Sequence, residues 1–323
     1  MEQQAKKIWI FDSTLRDGAQ GEEISFSVQD KLNIVQTLDQ LGIDYIEAGN
    51  PGSNPKDLEF FERVGQLTLH HAKLVAFGST RRKEEKVEDD INLQALLSAN
   101  TKAVSIFGKS WDFHVTDIIH TTLEENLRMI EETVAFLKAH GKEVIFDAEH
   151  FFDGYKRNPD YAMQTLLAAQ KGGADYICLC ETNGGAFPDE VSRIVAQVLP
   201  QLRVPVGIHT HDDGGMAVAS SVMAVLAGAQ MVQGTLIGFG ERCGNANLSA
   251  IIANLQLKRN YQCIPPENLH KLMQTCRVVS EISNVRLHKN MPYVGKSAFA
   301  HKGGMHIDGV NKAPASFEHI NPE

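Results

Sequence analysis

Short apolar, β-branched runs alternate with amphipathic stretches from the N-terminus to about residue 260. Each run is continuous rather than alternating, which is the pattern of a strand covered on both faces. Eight are placed over residues 7–11, 45–49, 73–78, 103–108, 143–149, 176–182, from Val206 into the stretch that follows, and 231–237. Between the first two, Ser27 with Asp30 resembles a capping box, Leu32, Val35, Leu38 and Leu41 form an apolar helical face, and Gly42 ends it. Further helices are expected from an Asn54-Pro55 start to about 66, over 84–99, over 122–140, from Asn158-Pro159 to Gly172-Gly173, over 188–199, over 214–228, and from an Asn247 cap to about 259.

Eight strand–helix units in about 250 residues predict an α/β fold of the (β/α)8, or TIM, barrel type. An open doubly wound sheet is the competing architecture, but no G-x-G-x-x-G follows the first run, which argues against its dinucleotide-binding version. From Pro265 the rhythm breaks into a helix over 267–283 and a Gly-, His- and Lys-rich tail. The expected organisation is therefore a catalytic barrel over 1–262 and a helical and extended accessory segment over 263–323.

Composition changes this picture little. The 323 residues are 43% hydrophobic and 22% charged, an ordinary globular balance that supplies a large core. A net charge of -9, with no basic stripe beyond Arg81-Arg82-Lys83, argues against nucleic acid as a partner; that triplet reads as a solvated helix start. The cysteines at 178, 180, 243, 263 and 276 lack zinc-site or secreted-scaffold spacing, and no basic-then-apolar leader opens the chain, so a reducing cytoplasm is expected. The most apolar stretch, 216–229, is shorter than the ~20 residues a membrane-spanning helix needs.

The chemistry gathers where the strands end. His209 and His211 sit two apart on the seventh run, a spacing that puts both rings on one face of a strand. Asp17 follows the first run, Glu47 lies in the second, Glu149 ends the fifth, Thr182 ends the sixth, and Gly238 to Asn245 follows the eighth. In a barrel these ends form one face, the face that carries active sites. A carboxylate, two imidazoles and an amide oxygen suit a six-coordinate Mg2+, Mn2+ or Zn2+ with positions left for a bidentate 2-oxo acid, whose ketone the metal would polarise while Arg16 forks onto the carboxylate or stabilises the developing alkoxide. Taken singly, each residue has a plainer reading: Asp17 in a loop with Arg16 as its surface partner, Glu149 as a helix cap, Glu241-Arg242 as a structural ion pair, and the Cys178/Cys180 pair as core.

Three motifs carry a resemblance. Leu15-Arg16-Asp17-Gly18-x-Gln20 with Lys31 further on, His209-x-His211-Asp212-Asp213-x-Gly215, and Gly238-x-Gly240-Glu241-Arg242-x-Gly244-Asn245 are similar to signatures of the isopropylmalate, homocitrate and citramalate synthase family, within the DRE-TIM metallolyases. The resemblance implies a divalent metal on Asp17, His209, His211 and Asn245. It implies Arg16, Gln20, Glu47 and Thr182 at the oxo acid, and Arg16, Glu149 and the tail histidine His301 as catalytic residues. Acetyl-CoA, the co-substrate, loses a methyl proton, its enolate attacks the 2-oxo carbon, and the thioester is hydrolysed. The segments 19–22, 51–55 and 146–154 are most similar to the citramalate synthase branch, which uses pyruvate; isopropylmalate or homocitrate synthesis, a hydroxymethylglutaryl-CoA-lyase-like cleavage, and a non-catalytic binding fragment are the alternatives. Tail residues 301–306 resemble an accessory segment whose histidine enters the neighbouring subunit's site, which implies a homodimer. The family usually continues into a regulatory domain that binds the end-product amino acid, and this chain stops at Glu323 without it.

Overall fold

A strand buried on both faces must find a neighbour at each edge. Closure supplies one for every strand here. In the computed structural model, which describes residues 5–53 and 55–322, β1 (Trp9–Asp12), β2 (Tyr45–Glu47), β3 (Lys73–Ser79), β4 (Ala103–Lys109), β5 (Glu143–Glu149), β6 (Tyr176–Glu181), β7 (Val206–Thr210) and β8 (Met231–Gly234) pair in parallel in chain order. β8 pairs back onto β1 with Trp9 opposite Met231, closing a TIM barrel.

The helices α1 (Val28–Leu41), α2 (Pro55–Val64), α3 (Ile91–Ser98), α4 (Leu123–Ala139), α5 (Phe151–Arg157), α6 (Pro159–Gly172), α7 (Pro188–Val198), α8 (Ala217–Ala227) and α9 (Leu248–Lys258) surround it. α1 begins with the expected capping box between Ser27 and Asp30 and ends at Gly42 in the left-handed region, φ 96°. Its Ile34, Val35, Leu38 and Leu41 are fully buried; removing one such side chain costs about 2–5 kcal/mol. Asn247 caps α9 through Ser249 and Ala250.

Five local expectations are corrected. Lys6–Lys7 leave the barrel to pair with Tyr261–Gln262, because Ile8 N–H bonds Gln262 and the Lys7 ammonium bonds Asp44 and the Cys263 carbonyl. The helix expected over 84–99 starts only at Ile91, where the Asp90 side chain accepts from Asn92 and Leu93 N–H. The loop before it is tied down by Arg81, which is buried against Glu125 and Glu132 rather than solvated. Residues 151–157, expected as loop, form α5 after His150 turns through φ 54°. The helix expected over 267–283 opens as a 3-10 segment, Pro266–Lys271, before α10 (Leu272–Ser283), and the tail holds α11 (Gly304–Lys312). The Asn54 cap lies outside the described residues. No described helix is long and apolar enough to cross a membrane.

What positions the site is the two-residue period inside the barrel. Phe11, Tyr45, Val75, Ile145, Cys178 and Met231 pack together as its apolar interior. Two residues further along four of these six strands come Ser13, Glu47, Asp147 and Gln233, with Phe77 on β3, Cys180 on β6 and His209 on β7, so the same inward face turns largely polar toward the strand ends.

Candidate functional site

His209 and His211 come from the end of β7, and both rings enter the barrel mouth with centroids 5.1 Å apart. Their Nε2 atoms lie 3.3 Å from each other, and the Nε2 of His209 is 3.7 Å from Asp17 Oδ2. Asp17 sits in the turn after β1; its other oxygen accepts from the Asn245 side-chain amide at 2.8 Å. Asn245 arrives there because the loop after β8 folds back through Gly238 (φ 85°) and Gly244 (φ 103°), and its backbone bridges His211. At Gly240 a Cβ would fall 2.1 Å from the Asn245 amide nitrogen, so only glycine leaves that amide its place.

These residues fit a divalent cation. Asp17, His209 and His211 each present a ligand atom, all within 4.8 Å of one another. The Asn245 carbonyl oxygen beside them is buried and has no hydrogen-bond partner among the described residues. Burial disfavours charge on both imidazoles: it lowers His209, and with His209 beside it His211 is pushed down to about 4. Burial alone would raise the Asp17 carboxyl, but Arg16 and the two histidines outweigh it and hold it below the usual carboxylate range. One anion, two neutral imidazoles and a spare amide oxygen are ligands already in their metal-binding protonation states.

Arg16 is pinned beside this cluster. Its Nε donates to Glu47 at 2.7 Å and its Nη1 to Asp17 at 2.9 Å, while the guanidinium lies 3.8 Å from the centre of the Phe77 ring. Burial opposes its charge, and Glu47 and Asp17 more than restore it, raising its pKa. Glu47, expected at the oxo acid, is fully buried behind Arg16, where it also accepts from the Ser13 hydroxyl at 2.5 Å.

Arg16, Asp17, Gln20, Glu149, Thr182, His209 and His211 line one cavity of about 290 Å³ at the strand ends. Thr182 accepts from the His150 N–H at 2.9 Å. Glu149 pairs with Lys109, its register partner on β4. His301 stays in the tail, 3.5 Å from Glu318, and within one chain it does not line the cavity. Arg242 does not pair with Glu241 as expected. Its Nε and Nη2 donate to Asp213 at 2.8 and 2.9 Å, because Arg242 sits in a turn at φ 54° that faces the loop after β7.

The motifs left several of these groups unmarked. Phe77, Phe107 and Asp147 line the cavity, the two rings stacked at 5.5 Å, Lys109 borders it through Glu149, and Gln233 is bonded to Asp147 behind it. Counting back by twos from Glu149 along β5 reaches Asp147 and would have flagged a buried carboxylate; nothing local would have paired it with Gln233, 86 residues away.

The family described as HMGL-like matches residues 7–279. The chain is 57% identical over 320 residues to a curated "(R)-citramalate synthase" of Aquifex aeolicus, covering 99% of this chain and 61% of that protein. It is 54% identical to a second one from Synechocystis, covering 98% and 59%, and 34% identical to a homocitrate synthase of Methanopyrus kandleri, covering 98% and 76%. The chain thus spans about three fifths of the length of the citramalate synthases it matches. Among solved structures, HMG-CoA lyases from Bacillus subtilis (19% identity, TM-score 0.73, 88% of this chain and 97% of that one) and Pseudomonas aeruginosa (20%, 0.70, 86% and 94%) share the fold.

Proposed function

Because this chain belongs to the HMGL-like family, we propose that it carries out the metal-dependent condensation of acetyl-CoA with pyruvate to give citramalate, as an acyltransferase that converts the acyl group to alkyl on transfer. One observation carries the reading: Arg16, the Asp17, His209 and His211 cluster and Glu149 all open onto a single cavity sized for a small acid. The identities of 57% and 54% to curated citramalate synthases select the branch.

Asp17, His209 and His211, with the Asn245 carbonyl oxygen as a fourth donor, would hold Mg2+, Mn2+ or Zn2+. When bound there, such a cation supplies Lewis-acid polarisation of a 2-oxo acid's ketone. Arg16 stabilises the negative charge that develops on the ketone oxygen; held by Glu47 and stacked on Phe77, it needs no reorganisation as the charge appears. Thr182 and Gln20 contact the oxo acid from the cavity wall, and Glu47 acts on it through Arg16. Phe77 and Phe107, their rings stacked, form an apolar side of the cavity against which the oxo acid's alkyl group would lie. Glu149 takes part in removing the methyl proton of acetyl-CoA, with Lys109 fixing its carboxylate. A second cavity shares Arg16, Gln20 and Phe77 with the first and continues past Ile24 and Phe26 to the polar side chains of Lys31, Asn50 and Asp57, a route for the acetyl-CoA arm.

The reading includes a homodimer in a reducing cytoplasm. Met305, Ile307 and Phe317 of the accessory segment 263–323 are 81%, 44% and 40% exposed, an apolar surface suited to a second copy that would receive His301. All five cysteines are free. The test is thiol release from acetyl-CoA across pyruvate, 2-oxoisovalerate, 2-oxoglutarate and 2-oxobutyrate. Pyruvate is expected to give the highest kcat/KM. Release only with another acid moves the chain to that branch, and cleavage of hydroxymethylglutaryl-CoA without release from acetyl-CoA makes it a lyase.

A further inference from the structure

Gln233 is a fully buried amide on β8, in register with His209 on β7. Both side chains point into the barrel, where they meet: His209 Nδ1 lies 2.9 Å from Gln233 Oε1. The other end of the amide, Nε2, is 2.8 Å from Asp147 Oδ1 across the barrel from β5. Asp147 is fixed in turn by the Ser105 hydroxyl, 2.6 Å from its Oδ2. None of these three residues belongs to the motifs that mark the site.

The order of donors and acceptors along this row follows from Asp147. As a carboxylate it offers only acceptors; as an acid, with its proton on Oδ2 and shared with Ser105, it still accepts at Oδ1. With Oδ1 as acceptor the group facing it is the Gln233 NH2, as the 2.8 Å bond from Nε2 has it, and the Gln233 carbonyl oxygen faces His209. A carbonyl oxygen accepts and never donates, so the His209 nitrogen facing it must carry the proton. In a neutral ring the other nitrogen is then bare. We propose that Gln233, oriented by Asp147 and Ser105, is a positioning residue that locks His209 as the Nδ1–H tautomer and aims the Nε2 lone pair at the cluster formed with Asp17 and His211. The inference rests on the metal reading above for its functional consequence, but the tautomer itself is a property of the protein alone.

The same row explains why a polar ladder runs through the barrel where an apolar layer would pack more cheaply. A histidine free to choose its tautomer would present N–H to a cation in part of the population, and its ring would rotate; groups that orient a ligand ring in this way typically matter ~10–100-fold in metal affinity. The row also fits its neighbours. The His211 Nε2, 3.3 Å from the His209 Nε2, has a bare acceptor to donate to, so the two rings need not repel each other.

The test reads the ring nitrogens directly. In the metal-stripped full chain with 15N-labelled histidine, correlation spectra are expected to show His209 protonated at Nδ1 and bare at Nε2, assigned by comparison with His209→Asn. Gln233→Met, close in volume and without either hydrogen bond, should lose that preference and weaken Mn2+ binding, measured by competition with a fluorescent chelator, by about 10–100-fold. Asp147→Asn keeps an acceptor oxygen toward Gln233 and should retain the tautomer and bind Mn2+ within a few-fold of the parent. An Nε2-protonated His209 in the parent overturns the proposal, as does parental Mn2+ affinity in Gln233→Met; if that variant fails to fold, the parent spectrum decides alone. Loss of the tautomer in a folded Asp147→Asn overturns the part given to Asp147. A parent that binds no divalent cation overturns the metal reading, and its spectrum still decides the tautomer.

Discussion

The Nε2 atoms of His209 and His211 face each other at 3.3 Å, with Asp17 Oδ2 3.7 Å from the first of them. Two neutral rings whose Nε2 atoms converge beside a carboxylate form an arrangement that a divalent cation would complete. His209→Ala or His211→Ala is expected to lose the metal and turnover while keeping the barrel. Loss beyond ~100-fold in metal affinity, with a far-ultraviolet spectrum like the parent's, is the expected result. Full metal occupancy in both variants by elemental analysis would remove the cluster from the mechanism.

Arg16→Lys tests the fork. A lysine ammonium reaches one of the two carboxylates, Glu47 or Asp17, and cannot stack flat on Phe77. The buried carboxylate left behind has no cation, so kcat/KM should fall by about 10²–10³-fold. Near-parental kcat/KM would show that Arg16 serves only as a charge.

Glu149→Gln keeps the shape of the carboxylate and removes its capacity to take a proton. For a group in the proton-abstraction step kcat should drop by roughly 10²–10⁴-fold with the pyruvate KM little changed. Exchange of the acetyl-CoA methyl protons with deuterated solvent, in the presence of a pyruvate analogue that cannot condense, isolates that step. Undiminished exchange in Glu149→Gln transfers the role of base to His301 of a neighbouring copy.

Asp12 gives a pH signature separate from the site. Burial, countered in part by bonds from the Thr14 N–H and hydroxyl, raises its carboxyl from 3.8 to about 7. The folded chain therefore holds a proton that the unfolded chain releases, and the stability this confers is complete below pH ~4 and lost as pH rises to about 7. His211, lowered to about 4 by burial and by His209, acts with the opposite sign over pH ~4–6.5, because there the unfolded chain binds the extra proton. Asp12→Asn mimics the protonated form and removes only the first effect. Urea midpoints measured with a chelator from pH 5 to 8 should decline less with rising pH in Asp12→Asn than in the parent; parallel curves would contradict a raised Asp12.

The barrel was legible in the sequence because its information is local. Continuous apolar runs, caps such as Ser27 and Asn247, and stops such as Gly42 each act within a few residues, and together they leave closure as the way to satisfy every strand edge. The strand-end placement of Asp17, His209 and His211 was legible for the same reason: a two-residue period decides which face a side chain takes. Periodicity does not decide what that face meets. Whether Arg16 leans on Glu47, whether Asn245 returns to Asp17 228 residues away, and that Arg242 chooses Asp213 over its neighbour Glu241 depend on strand register and on loops turning at Gly238, Gly244 and the left-handed Arg242. α5 was missed because His150 breaks the strand with a positive φ that no local propensity favours. Asp147 and Gln233 read along the chain as polar interruptions of buried strands; only the closed barrel, by setting β5 and β8 face to face across its interior, turns two such interruptions into a satisfied pair.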